Sequence, residues 1–271
     1  LYFNTTGANN TALGRSALTA NTTASDNTAV GFEAMLTNTT GHSNTAIGRR
    51  NMRSTTTGTR NTSVGFNSMY YNTSGADNVG IGNSALQGNT TGQGNVGIGR
   101  SALTSNTTAA SNTAVGYQAG YNNTTGDSAT SVGYQALFSQ TTGGGNNYNV
   151  ALGRQASYTN IDGYYNVAVG GQSLYSNTSG ARNTALGHQS LYANTTASNN
   201  TAVGYHAGYA NTTGTANVAT GYHSLASNTT GDFNIAIGYN ALDANTTADD
   251  NIAVGTSALG ANTTGASNIA I

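Results

Sequence analysis

The hydrophobic and polar positions of this chain repeat every 17 residues, and Asn194–Ala210 shows the unit in full. An Asn-Thr-Thr opening leads through small polar residues to a short apolar run, Thr201-Ala202-Val203, closed by Gly204. A small residue followed by a bulky one comes next, as in Ala241-Leu242 of a later copy. Slots are numbered here from the opening Asn, so Asn194 is slot one and Gly204 slot eleven. The opening residue recurs at Asn4, Asn21, Asn38, Asn72, Asn89, Asn106 and Asn123, with Thr55 once in its place. After a longer copy begun by Gln140 it returns at Asn160, Asn177, Asn194, Asn211, Asn228, Asn245 and Asn262. A fixed period of this kind signals stacked repeats, in which each unit buries its apolar residues only against its neighbours.

Three-residue runs rich in Val, Ile and Thr and ended by Gly predict strands. Seventeen residues are too few for a helix pair, and the density of Gly, Asn and Thr disfavours helix. The expected architecture is therefore all-β: a parallel β-solenoid, or β-roll, with two short strands and two turns per coil. About 16 coils would run through residues 1–271 as a single segment, on the order of 70 Å long at the ~4.8 Å spacing of parallel strands. The β-branched residue of slot ten and the Leu or Met of slot fifteen are the expected core, each worth roughly 1.5–3 kcal/mol once covered.

Two polar positions need structural causes. Slot eleven is Gly in every copy that reaches it, including Gly116, Gly133 and Gly204; this predicts a corner with positive φ or very close backbone approach. Slot four alternates between Gly and Ala, as at Ala24, Ala109, Ala197 and Ala248, so that turn needs no strained dihedral. Slot seven is Asn almost throughout, for example Asn112 and Asn200, with Ala129 the exception. Stacked coils would align these amides into a hydrogen-bonded column.

Composition narrows the function. Charged residues make up 6% of the chain and the net charge is -1, which leaves no electrostatic footprint for nucleic acid. No apolar run approaches the length of a membrane span. There is no Cys, hence no disulfide framework or thiolate metal site. No nucleophile elbow, phosphate loop or paired-carboxylate pattern is present, so neither an enzyme nor a cofactor is expected. The chain opens and closes in mid-unit, which predicts a segment of something longer.

Asn200-Thr201-Ala202-Val203-Gly204, with the following Ala-Leu pair, resembles the head repeats of trimeric autotransporter adhesins of the YadA type, and also repeats of phage tail fibres. The resemblance covers all the copies. It implies a left-handed parallel β-roll, three chains side by side, display outside the cell or on a virion fibre, and adhesion.

Several candidates stand out on that background. The copy from Gln140 carries three extra residues at about 143–148, and the next has Ile161-Asp162-Gly163-Tyr164-Tyr165 at its turn. Insertions of this sort project as loops. Tyr158, Tyr175, Tyr192 and Tyr209 share slot sixteen, beside a loop with Tyr148, Tyr164 and Tyr165. These seven are the candidate ligand residues, suited to stacking on cell-surface glycans or matrix; the alternative is packing over the Leu core. Thirteen copies open with a formal N-glycosylation sequon, at Asn4, Asn21, Asn38, Asn72, Asn89, Asn106, Asn123, Asn177, Asn194, Asn211, Asn228, Asn245 and Asn262. The same residues are also turn formers. His206 and His223 share slot thirteen but have no carboxylate column beside them, so no metal is expected. Arg49, Arg50, Arg53 and Arg60 form a basic cluster, read as a solvated or inter-chain patch.

The expected function is that of a structural and adhesive extracellular fibre segment acting as a homotrimer. The alternative is a filament subunit that polymerises end to end, glycosylated or not. Ice binding is a minor alternative, because adjacent Thr residues point to opposite sides of a strand.

Overall fold

A computed structural model of the protein describes residues 1–141 and 147–271. Of the stretch at about 143–148 expected to hold three extra residues, positions 143–146 lie outside the described residues. Among the described residues all regular structure is β, one three-residue strand per coil except for a shorter last one, and the chain is a parallel β-solenoid. It divides into two compact units, Leu1–Ala129 and Thr130–Ile271.

The first unit holds β1 (Thr11–Leu13), β2 (Thr28–Val30), β3 (Thr45–Ile47), β4 (Thr62–Val64), β5 (Val79–Ile81), β6 (Val96–Ile98) and β7 (Thr113–Val115). Each strand pairs in parallel with the next, residue for residue. The second holds β8 (Thr130–Val132), β9 (Val150–Leu152), β10 (Val167–Val169), β11 (Thr184–Leu186), β12 (Thr201–Val203), β13 (Val218–Thr220), β14 (Ile235–Ile237), β15 (Ile252–Val254) and β16 (Ile269–Ala270), again parallel and in chain order.

The expected second strand does not form. Slots twelve to seventeen are turns, with slots thirteen and fifteen in the left-handed region: Gln189 has φ 54° and Leu191 φ 50°. Coil-to-coil hydrogen bonds persist there, as from Leu191 N–H to Ala207 C=O at 3.0 Å, but the backbone is not extended. This conformation explains a sequence regularity. A β-branched residue with φ > 0 is a genuine outlier, and slot fifteen holds Leu, Met, Gly or Ser but never Val, Ile or Thr.

The core also differs from the expectation. Slot fifteen is buried, with Leu18, Met35, Met52, Met69 and Leu86 at 0% exposure. Slot ten is not: Leu13, Ile47, Ile81, Leu186 and Ile237 are exposed, and slot nine, usually Ala, points inward instead. Alternation along a strand allows only one of the two phases. The narrow cross-section selects it. A Cβ on Gly80 would lie 2.9 Å from Met69 Cγ, and one on Gly97 3.1 Å from Leu86 Cγ. The slot-fifteen side chain of one coil thus fills the space in front of slot nine of the next, leaving room there for Ala, Ser or Gly only.

The Gly corner forms as expected. Gly133 has φ +129°, and a Cβ there would come 2.6 Å from the carbonyl oxygen of Gly153. Gly116 and Gly204 share the conformation, at φ 139° and 135°. Among the described residues no slot-four residue has positive φ, in keeping with its tolerance of Ala.

Candidate functional site

Asn columns hold the coils in register. At slot seven, Asn61 accepts at Oδ1 from both the backbone N–H and the side-chain N–H of Asn78, at 3.0 and 3.1 Å. Its own Nδ2 donates to Gly75 C=O at 2.8 Å. Asn112 and Asn200 make the corresponding bonds, from Nδ2 to Gly126 C=O and Gly214 C=O, both at 2.9 Å. Ala129 keeps only the backbone half, its N–H donating to Asn112 Oδ1 at 2.9 Å. A second column runs through slot one. There Asn194 Nδ2 donates to Asn177 Oδ1 and to Ala197 C=O, both at 3.0 Å.

That second column consists of the sequon asparagines. Asn21, Asn38, Asn72, Asn89, Asn106, Asn123, Asn177, Asn194, Asn211, Asn228 and Asn245 are all at most 1% exposed. The nitrogen that would carry a sugar is buried and spent on hydrogen bonds within the folded coil. Asn4 and Asn262 are half-buried.

The slot-sixteen tyrosines form the expected ladder. Tyr158, Tyr175, Tyr192 and Tyr209 follow one another with ring centroids 5.2, 5.1 and 5.2 Å apart and planes within 10° of parallel. Phe138 extends the ladder at 5.1 Å from Tyr158. Rings so spaced overlap as shingles, since direct contact lies nearer ~3.5–4.0 Å. Each face is thus partly covered by the next ring, and the Tyr192 phenol is pushed up by burial and by its neighbours Tyr175 and Tyr209. Tyr148 and Tyr165 stack separately at 5.4 Å, with Tyr164 edge-on to Tyr165 and Arg182 over the Tyr164 ring at 5.3 Å. Among the described residues, no ring contact joins this turn group to the ladder.

A further aromatic column was not foreseen. Slot twelve, directly after the corner glycine, brings His188, Tyr205, Tyr222 and Tyr239 into line at 5.7, 5.3 and 5.2 Å. His206 lies between this column and the ladder, 3.9 Å from the Tyr205 ring and 4.6 Å from Tyr209. His223 stacks on it at 5.0 Å. The signal in the sequence is the recurring Gly-Tyr or Gly-Phe pair, as at Gly204-Tyr205 and Gly31-Phe32.

His206 continues a column of slot-thirteen amides. Gln172 donates to Gln155 Oε1 at 3.4 Å, Gln189 to Gln172 Oε1 at 2.9 Å, and His206 Nε2 meets Gln189 Oε1 at 2.6 Å. Burial holds the His206 imidazole below its usual range, with His223 and His188 adding like-charge opposition. Among the described residues, no group of three His, Cys, Asp or Glu is arranged to hold a metal.

The basic cluster is occupied locally. Glu33 takes Arg53 at 2.8 Å and Arg50 at 3.2 Å, and the Arg53 hydrogen bond is the main cause holding its carboxyl below the usual range. Arg60 makes two bonds to Asp77, at 2.6 and 2.8 Å. Arg49 sits between the rings of Phe32 and Phe66, 5.9 and 5.6 Å from their centroids.

No protein-family model matches the chain, and no curated protein is similar to it in sequence. Its functional surfaces are therefore defined by their own geometry.

The Thr-Thr openings are divided in their roles. The slot-two hydroxyl donates to the carbonyl of the next coil, as from Thr39 to Thr56 at 3.1 Å, while slot three is exposed, leaving one open Thr column per unit.

Proposed function

We propose that this chain is a non-catalytic structural and adhesive segment of an extracellular fibre, working side by side with further copies of itself. The observation that carries this reading is the outward face of the sheet. Slot ten places Ile47 and Ile81 on that face in the first unit, and Leu186 and Ile237 in the second, each 37–45% exposed. Slot eight adds Thr, Val or Ile on the same side of each strand. Across β8–β16 the two columns run for roughly 40 Å at ordinary strand spacing. A contiguous apolar patch of this kind marks an interaction surface. A second copy carries the same columns at the same period and so offers a matching surface. The resemblance to trimeric adhesin heads favours three chains.

The Asn columns suit a segment that carries load. Each coil is tied to the next by side-chain and backbone bonds at a separation of 17 residues, so extension has to break many bonds together.

Light scattering tests the assembly. The expected mass is three times the 27.3 kDa of one chain. Ile81→Lys with Ile237→Lys should reduce it to one chain while the circular dichroism stays unchanged. A wild-type protein that remains monomeric at high concentration overturns the reading, and filaments of variable length would favour end-to-end polymerisation.

A further inference from the structure

The arginines of the first unit are gathered on one stretch of the coil. Five of the six, Arg15, Arg49, Arg50, Arg53 and Arg100, lie at slots twelve to sixteen, just past the Gly corner, with Glu33 the one acid among them. The other acids of the unit, Asp26, Asp77 and Asp127, sit at slots five and six with Arg60. Glu33 is taken by Arg50 and Arg53, and Asp77 by Arg60. Arg15, Arg49 and Arg100 remain. All three occupy slot twelve, are exposed, and make no hydrogen bond or ion pair through the guanidinium among the described residues. Each lies instead over an aromatic ring of the same column: Arg15 is 5.8 Å from Phe32, Arg49 5.9 and 5.6 Å from Phe32 and Phe66, and Arg100 5.8 Å from Tyr117. Stacking of this kind orders the guanidinium plane and leaves its N–H edge for an oxyanion. Arginine stays protonated in proteins, so the column holds these positive charges without a counter-charge in the chain.

We propose that this column binds a linear acidic polysaccharide lying along the coil axis, with a carboxylate or sulfate on every second or third sugar. The proposal rests on the adhesive half of the function given above. Three features select the ligand. Guanidiniums with open N–H edges call for oxyanions. Their line along the axis calls for a linear polymer rather than a single ion. The interval then selects the polymer. Arg15 and Arg49 are two coils apart and Arg49 and Arg100 three, about 10 and 14 Å at ordinary strand spacing. Duplex DNA carries about one charge per 1.7 Å and would leave most of its phosphates unmet. A sugar in an extended chain advances by about one coil, so acids on every second or third sugar fall opposite successive arginines. Carboxylate and sulfate both present paired oxygens to a guanidinium, so the column admits either.

The full chain is tested by calorimetry with hyaluronan oligosaccharides, which carry a carboxylate on every second sugar, and with κ-carrageenan oligosaccharides, which carry a sulfate at the same interval. Neutral agaro-oligosaccharides serve as the control. At least one acidic series should bind, and the comparison shows which anion is preferred. The neutral series should not bind, and affinity should fall by at least about tenfold as salt rises from about 50 to 300 mM. Arg15→Gln with Arg49→Gln should weaken binding by at least about tenfold at an unchanged melting temperature. Arg60→Gln, which removes a cation at slot six, should leave binding unchanged. Equal binding of the neutral series, salt-independent binding, full binding by the double variant, or an equal loss in Arg60→Gln overturns the proposal. So does tighter binding of duplex DNA, or of phosphatidylserine–phosphatidylcholine vesicles, than of either polysaccharide. Binding of a neutral glycan on an array, kept in the double variant, overturns the acidic assignment and leaves adhesion standing. Binding of no glycan overturns the assignment and removes its support for adhesion, while the side-by-side assembly is judged separately by mass.

Discussion

Thr55 follows Asn38 in the slot-one column, and both Asn38 Oδ1 and Thr55 Oγ1 are buried without a hydrogen-bond partner. In most coils of the column this gap is closed by an amide, as Asn38 Nδ2 does for Asn21 Oδ1 at 3.1 Å; Asn106 Oδ1 and Asn245 Oδ1 also lack a partner. The hydroxyl of Thr55 is too short to make that bond. Thr55→Asn should therefore restore the ladder and raise stability by about 1–2 kcal/mol, the usual cost of a buried unsatisfied group. Urea denaturation compares the two proteins, and an unchanged midpoint would show that the column contributes nothing at this coil.

Slots eleven and four separate two meanings of glycine. An added Cβ would come 2.6 Å from the next coil's carbonyl oxygen at both Gly133 and Gly58, but Gly133 also has positive φ, whereas Gly58 has ordinary φ and occupies a slot that holds Ala in other coils. Gly133→Ala should cost about 1–3 kcal/mol, as residues held in sparsely populated backbone regions do. Gly58→Ala should cost clearly less. Equal shifts in melting temperature would contradict the distinction.

The left-handed conformation of slot fifteen gives a sharper test, because it sets shape against hydrophobicity. Leu86 is fully buried with φ 50°. Leu86→Met keeps an unbranched Cβ and should cost under about 1.5 kcal/mol. Leu86→Ile conserves volume but places a branched Cβ at positive φ, and should cost about 1–2 kcal/mol more. If the two variants melt together, backbone conformation does not select the residue.

The His206 ring introduces a pH dependence. Its pKa is lowered below 6.5 first by burial, then by His223 and His188. The groups facing it are Tyr205 and Tyr209 from its own coil, His188 and Gln189 from the coil before, and His223 from the coil after. With the folded pKa depressed, the unfolded chain binds the proton more readily. Stability from this residue is present above about 6.5 and is lost as pH falls below it. His206→Gln, which continues the Gln155–Gln172–Gln189 column, should flatten that fall. Melting curves between pH 7.5 and pH 5, as working limits set by the histidine range, compare the two proteins.

The period, the solenoid, the Gly corner and the slot-seven Asn column were legible from residue identities, because each answers a demand of the backbone. A corner with positive φ admits Gly in every coil, and stacked turns require an amide that can donate and accept along one axis. The outward face was not legible. In Thr201-Ala202-Val203 both phases of alternation place an apolar residue inside, and three residues are too few to choose between them. The choice came from across the cross-section, where the slot-fifteen Leu or Met leaves space for Ala, Ser or Gly only. That one packing decision turned Val and Ile outward. The burial of the sequon asparagines and the alignment of Tyr205, Tyr222 and Tyr239 likewise depend on neighbouring coils. Local sequence therefore determined which backbone each coil adopts. Only the stacking of one coil on the next decided which side chains meet solvent, since burial belongs to neighbours 17 residues apart rather than to the run itself.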